Sequence, residues 1–254
     1  MTDDARLAAE LAQRAADELV RLRAGTALTG RALKDAGDAA AHAPLVAALR
    51  DARPADAVLS EEAADDPARL DADRVWIVDP LDGTREFSEH RDDWAVHVAL
   101  WTRTGGLAAG AVATGAGVRS TDDPRAAAAD PAPVLAGERP LRLAVSRSRP
   151  PAVVDALVRR LGAEPVPMGS AGVKTMAVVD GTVDAYVHGG GQYEWDSAAP
   201  VAVARAAGLH TSRLDGSPLE YNRAEVWLPD LVVCPQPLAQ HLLAAIAAGE
   251  EEEA

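Results

Sequence analysis

The chain has 254 residues, 48% of them hydrophobic, and a net charge of −14 at pH 7. That length holds one large domain or two small ones with a sizeable core. The acidic balance argues against nonspecific nucleic-acid or anionic-membrane partners, which call for clustered Lys and Arg. Cys234 is the only cysteine, so no intrachain disulfide forms, a reducing compartment is the economical inference, and the residue itself is expected inside a buried strand. The segment Met1-Thr2-Asp3-Asp4 is acidic and lacks a signal-peptide pattern, and no apolar run reaches bilayer length; a cytoplasmic protein is expected.

Leu7, Leu11, Ala15, Leu19 and Leu22 recur at three- and four-residue intervals, predicting a helix over 3 to 24 with Thr2 as its cap. A second helix is expected over 38 to 50, after a connection at 30 to 37. Ala57-Val58-Leu59 reads as a short strand leading into Glu61-Glu62, and Val75-Trp76-Ile77-Val78 as a buried strand. Segments 94 to 101 and 107 to 113 read as paired strands joined at Gly105-Gly106. The Ala-, Asp- and Pro-rich segment 120 to 140 suits an exposed loop, and we place a boundary near 140. Residues 1–140 then form an α+β half. Residues 141–254 hold a strand at 141 to 145, helices over 151 to 161, 170 to 179 and 196 to 207, a strand at 231 to 234, a helix over 237 to 248 and a solvated acidic tail at 250 to 253.

The most informative stretch is Asp79-Pro80-Leu81-Asp82-Gly83-Thr84. Two carboxylates three residues apart, at the carboxyl end of an apolar strand, sit where α/β sheets place ligands. Gly83 allows close backbone approach, and a helix starting there or at Thr84 would turn free N–H groups toward an anion. Two aspartates in a turn are also a common helix cap. Glu61 and the aspartate of Trp195-Asp196-Ser197-Ala198-Ala199 tip the balance: Glu61, Asp79, Asp82 and Asp196 make an all-oxygen ligand set suited to magnesium or manganese and poorly suited to zinc or copper.

These motifs resemble the inositol monophosphatase superfamily of magnesium-dependent, lithium-sensitive phosphatases, over nearly the whole chain. The resemblance implies an α+β fold, a layered α-β-α-β-α sandwich. The continuation Arg85-Glu86-Phe87 resembles the CysQ-type 3′(2′),5′-bisphosphate nucleotidases within that superfamily. By resemblance, Glu61, Asp79 and the Leu81 carbonyl hold one Mg2+, and Asp79, Asp82 and Asp196 a second, with Mn2+ as a substitute. Thr84 with Glu61 would orient the attacking water; a helix cap is its alternative role. Asp38 matches the aspartate assisting a third metal, although the Ser-Pro-Val-Thr lead is absent here and a capping role is equally open. Glu62 is either a supporting carboxylate or an exposed neighbour.

Substrate contacts fall by the same resemblance to Gly83, Thr84, Ser146, Arg147, Ser170 and Lys174, the last four near strand ends or a helix start in the second half. Surface charge is the alternative for Arg147 and Lys174. His97 and His188 read as satisfied structural histidines, and Trp195 as packing that directs Asp196. The implied activity is removal of the 3′-phosphate of adenosine 3′,5′-bisphosphate, a product of sulfate assimilation, or of its sulfated form. Inositol 1-phosphate and fructose 1,6-bisphosphate are the alternative substrates, and a non-catalytic phosphometabolite sensor is the alternative class. The partner implied is a small phosphate ester, and since family members are often dimers, a homodimer stays open.

Overall fold

The computed structural model describes residues 3–148 and 150–253; Thr2, the expected cap, and Arg149 lie outside them. Helix α1 (Asp3–Gly25) buries Ala8, Leu11, Ala12, Ala15, Ala16 and Leu19 along one stripe, the spacing that a 3.6-residue period demands. Helix α2 spans Gly30–Ala52, so the expected connection at 30 to 37 is helical. Gly37 is the reason: a Cβ there would lie 2.9 Å from both Leu81 Cδ2 and Phe87 Cε1. The residue that weakens the helix locally is the one that lets it close on the Asp79–Thr84 segment. Asp38 therefore lies in the third turn of α2, and its capping role is ruled out.

Strands β1 (Ala57–Ser60), β2 (Arg74–Asp82), β3 (Ala95–Thr102), β4 (Gly106–Thr114) and β5 (Gly117–Ser120) form one sheet in that order. Only the β1–β2 pair is parallel. A 3-10 turn, Pro67–Asp71, links β1 to β2, and the five-residue helix α3 (Thr84–Ser88) follows β2. The expected loop at 120 to 140 contains a single helical turn, α4 (Ala132–Leu135).

The second half adds β6 (Arg142–Ser146), α5 (Ala152–Leu161), β7 (Glu164–Met168), α6 (Ala171–Val179) and β8 (Ala185–His188). Then come β9 (Gln192–Tyr193), α7 (Glu194–Ala206), β10 (Leu209–Ser212), β11 (Trp227–Leu228), β12 (Leu231–Pro235) and α8 (Gln236–Glu253). The second sheet has the order β10-β12-β8-β6-β7, and β9 pairs with β11 as a separate ribbon. Helix α8 continues through the segment expected as a tail.

Side-chain alternation along the strands builds the layers. Trp76 and Val78 of β2, with Val96, Val98 and Leu100 of β3, pack under α1 and α2. Their neighbours Val75, Ile77, Ala95 and Ala99 face the opposite way, onto α6 and α7. Ala144, Tyr186 and Val233 of the second sheet meet the same two helices. Leu143, Val145, Val187, Val232 and Cys234 face outward to α5 and α8. The order is helices, sheet, helices, sheet, helices, as expected. Cys234 is fully buried in β12, and burial pushes its thiol up to about 12.

The middle layer depends on one close approach. A Cβ on Gly110 of β4 would lie 2.7 Å from Ala202 Cβ and 3.2 Å from the Ala199 carbonyl on α7. Gly110→Ala is expected to cost about 1–3 kcal/mol through overpacking. In a chain of this size that lowers the Tm by roughly 2–4 °C per kcal/mol, readable in a thermal melt.

Candidate active site

Strand β2 does not stop at Val78; it carries the motif to Asp82, with a shift in its register against β3 between Asp79 and Asp82. That irregularity breaks the strict alternation and lets both aspartates meet. Asp79 is 1% exposed and its Oδ1 accepts a hydrogen bond from Leu81 N at 3.0 Å. Gly83 then turns the chain at φ 88°, where a Cβ would sit 3.1 Å from the Asp93 carbonyl and 3.2 Å from Trp94 Cα. Only glycine fits both the conformation and the space. Gly83 is the cap of α3, so Thr84 is the first helical residue and its capping role is excluded.

Asp196 comes in from α7, whose start at Glu194 makes it the third helical residue. Its Oδ2 accepts from Tyr193 N at 2.6 Å, which fixes the carboxylate against the first turn. Oxygens of Asp79, Asp82 and Asp196 lie within 4.8 Å of one another. At that distance two unit charges repel by about 3.5 kcal/mol or more at an effective dielectric constant near 20. The carboxyls register this. Burial, then Glu61, Asp82 and Asp196, hold the Asp79 carboxyl well above its usual range. Burial and then Asp82 push Asp196 up to about 7. Glu61, at the mouth beyond β1, is raised to about 7 by desolvation of its carboxyl, with Asp82, Glu62 and Asp38 adding to it against a hydrogen bond with Asp79.

Asp38, half-buried on α2, is raised to about 6 by burial and then by Glu62; Glu62 itself is exposed. Neither of these two lines the cavity of about 360 Å³ whose wall includes Glu61, Asp79, Leu81, Asp82 and Asp196, together with Gly83 and Thr84. Lys34, Arg85, Glu86 and Ser148 complete it. No N–H or hydroxyl group donates to the buried Asp79 Oδ2, and the Glu61 carboxyl can bond to Asp79 only while one of the two carries a proton. An orphaned carboxylate oxygen amid like charges, in an all-oxygen donor set, fits a hard divalent cation.

A supporting shell lies behind Asp82. The Ser170 hydroxyl and Gly172 N–H both donate to its Oδ2, the latter at 2.9 Å, and Ser170 Oγ in turn accepts from Val173 N. His97 is fully buried, with Nδ1 3.1 Å from the Trp195 carbonyl and Nε2 3.4 Å from Asp82 Oδ2. It sits between the two motifs, behind them, in the structural role expected of it, but it is not fully satisfied, because its buried Nε2 has no hydrogen-bond partner; burial holds its pKa below the usual histidine value. A Cβ on Gly172 would lie 2.1 Å from His97 Nε2, so that glycine makes room for the ring. Trp195 stacks on Tyr193 with centroids 4.8 Å apart, and His188 Nε2 lies 2.9 Å from the Gly191 carbonyl.

The expected substrate contacts divide. Gly83 and Thr84 line the cavity, whereas Ser146, Arg147, Ser170 and Lys174 do not. The Ser170 hydroxyl is committed to Asp82. Lys174 is 6% exposed and donates to the carbonyls of Gly169 and Ser170. Arg147 pairs with Glu86 at 3.0 Å and Glu89 at 2.6 Å. Ser146 ends β6, half-buried. Lys34 and Arg85 are the cavity cations that sequence reasoning passed over; Arg85 followed Thr84 in plain view.

Fold and acidic cavity together define a layered α+β architecture with a carboxylate cluster that could hold a metal ion. The model of the inositol monophosphatase family matches residues 3–130 and 132–251, and the chain belongs to that family. It is 53% identical to a Mycobacterium leprae protein named 3′-phosphoadenosine 5′-phosphate phosphatase, over 96% of this chain and 93% of that one. It is 30% identical to Escherichia coli 3′(2′),5′-bisphosphate nucleotidase CysQ, over 86% and 94% respectively. The crystal structure of CysQ from Bacteroides thetaiotaomicron superposes with a TM-score of 0.75 at 25% identity, covering 92% of this chain and 97% of that one. Among the described residues, no helix is long and apolar enough to cross a membrane.

Proposed function

We propose that this protein is a magnesium-dependent phosphatase that removes the 3′-phosphate of adenosine 3′,5′-bisphosphate, leaving AMP. What carries the chemistry is the meeting of Asp79, Asp82 and Asp196, from β2 and α7, around an orphaned buried oxygen. What carries the substrate is the 53% identity to the mycobacterial phosphatase.

Asp79, Asp82, Asp196, Glu61 and the Leu81 carbonyl would hold two ions, Asp38 would assist a third, and manganese would substitute. When bound, such ions lower the pKa of a water and neutralise charge on the phosphoryl and leaving oxygens. Thr84 and Glu61 orient the attacking water on one side of the phosphoryl group. Gly83, without a side chain, leaves the backbone open to the phosphate oxygens. Behind Asp82, the Ser170 hydroxyl and the Gly172 N–H keep its carboxylate in one orientation, with the His97 ring packed alongside. The new bond joins the water oxygen to phosphorus as the bond from phosphorus to the 3′ oxygen breaks, and the proton given up by the water ends on that oxygen, leaving a 3′-hydroxyl and inorganic phosphate.

The test is phosphate release with magnesium, comparing kcat/KM for adenosine 3′,5′-bisphosphate, inositol 1-phosphate and fructose 1,6-bisphosphate. A preference for the nucleotide of about tenfold or more, roughly 1.4 kcal/mol in the transition state, is expected. Equal or greater activity on the sugars would overturn the nucleotide assignment. Absence of turnover on all three would restore a sensor without catalysis.

A further inference from the structure

A bisphosphate brings a second anionic group to a protein of net charge −14, beside at least four carboxylates. It needs cations that are not already spoken for. Arg147 and Lys174, the residues expected to receive it, are engaged with Glu86 and Glu89 and with backbone carbonyls. Most other arginines are similarly committed: Arg69 to Asp65, Arg74 to Asp56, Arg139 and Arg142 to Asp184, Arg213 to Asp230.

Next to the acidic cavity lies another of about 400 Å³, walled by Arg31, Lys34, Arg85, Ser88 and Glu89, and the two cavities share Lys34, Thr84 and Arg85. Arg31 and Lys34 stand three residues apart on α2 and so share a face. Arg85 is the second residue of α3, immediately after Thr84. Among the described residues, the side chains of Lys34 and Arg85 make no hydrogen bond or ion pair, although the Arg85 carbonyl accepts from Ser88 Oγ and Glu89 N and the Lys34 charge acts on Asp38 from a distance. Arg31 reaches Asp35 only at 3.7 Å with both side chains exposed. The one carboxylate in this wall, Glu89, is held by Arg147.

We propose that Lys34 and Arg85, backed by Arg31, form the subsite for the second, non-reacting phosphate of the substrate, and so favour bisphosphates over monophosphates. This rests on the phosphatase reading above. A guanidinium offers a phosphate two parallel N–H donors, and a lysine adds a point charge. Placed one residue beyond Thr84, Arg85 separates two regions of opposite sign: carboxylates that hold cations at the reacting phosphate, and free cations for the other. The carboxylates alone would repel the second group.

The subsite is tested by kcat/KM for adenosine 3′,5′-bisphosphate and adenosine 3′-monophosphate, taken as a ratio, in wild type, Arg85→Ala, Arg85→Lys and the double variant Lys34→Ala/Arg85→Ala. Wild type favours the bisphosphate. The ratio falls about tenfold in Arg85→Ala, mainly through KM for the bisphosphate, falls further in the double variant, and recovers in part in Arg85→Lys. All these side chains are exposed, and unchanged melting curves confirm intact folds. Calorimetry of AMP and adenosine binding to the magnesium-loaded protein gives a second readout that needs no turnover: wild type favours AMP, and the double variant loses that preference. If wild type hydrolyses neither nucleotide, the phosphatase reading fails while calorimetry still decides the subsite. If it hydrolyses both and the double variant keeps the wild-type ratio, the subsite is overturned and the phosphatase reading stands.

Discussion

Asp82→Asn is expected to abolish magnesium-dependent turnover while leaving the protein folded, with kcat/KM falling roughly a thousandfold or more. The choice of asparagine follows from what surrounds the carboxylate. Its Oδ2 is the acceptor for the Ser170 hydroxyl and the Gly172 N–H, and His97 stands 3.4 Å from the same atom. An asparagine carbonyl in that place keeps the two donors satisfied, while its NH2 group, turned to the cluster, is no ligand for a hard cation. Asp82→Ala would be a poorer test, because stranding buried donors costs about 1–3 kcal/mol each and mixes instability with lost chemistry. Steady-state kinetics, together with a melting curve with and without magnesium, separates the two. A variant that keeps a tenth of wild-type kcat/KM, or whose Tm still rises with magnesium as the wild type's does, would remove Asp82 from the site.

The acidic stretch at the end of β2 was legible from sequence because its residues are neighbours in the chain, whereas Asp196 is brought to it only by the fold. Asp79, Asp82, Gly83 and Thr84 lie within six residues, and a carboxylate at a strand end has few roles to choose among. What sequence conceals is where a long side chain ends. Lys174 follows a Gly-Ser pair and reads as a phosphate receiver, yet its ammonium is buried beneath the site, 5.2 Å from the Tyr186 ring centroid. Ser170 likewise reads as a contact for substrate but is turned inward to hold Asp82. Local propensity gave no sign of one strand and misplaced the start of one helix. Strand β7 contains Pro165 and Pro167, which deny it donors, and it survives because it is the edge of its sheet. Gly30 and Gly37 look like the ends of a loop, but Gly37 is where α2 meets Leu81 and Phe87. That packing, absent from any local pattern, also sets Lys34 against the cavity.

In the metal-free protein, Asp79→Asn is expected to raise the Tm at pH 7 and leave it nearly unchanged at pH 4.5. The Asp79 carboxyl is held well above its usual range by burial, Glu61, Asp82 and Asp196, and Glu61 and Asp196 are both raised to about 7. A carboxyl whose folded-state pKa is raised contributes stability that is complete below its unfolded value, near 4, and is lost as pH rises through the folded value. The window therefore runs from about 4 to about 7. Asp4, Asp65, Asp93 and Asp184, paired with arginines, are shifted the other way; their contributions are complete above pH 4 and do not move within it. The buried histidines His97 and His188, lowered below their usual value, gain stability with rising pH, so comparison of variant with wild type at each pH is what isolates the carboxylates. Asparagine keeps the bond from Leu81 N and supplies a donor toward Glu61 in place of a charge. Each unit of displaced pKa is worth about 1.4 kcal/mol, or roughly 3–5 °C in a chain this size, and a rise of at least that order is expected at pH 7. Magnesium should reverse the ranking: it binds the ionised ligands, stabilises wild type increasingly as pH rises, and finds no complete site in the variant. Equal melting temperatures at pH 7 without metal would mean that the carboxylates do not strain the apo fold, and that the acidic cavity is not built around an ion.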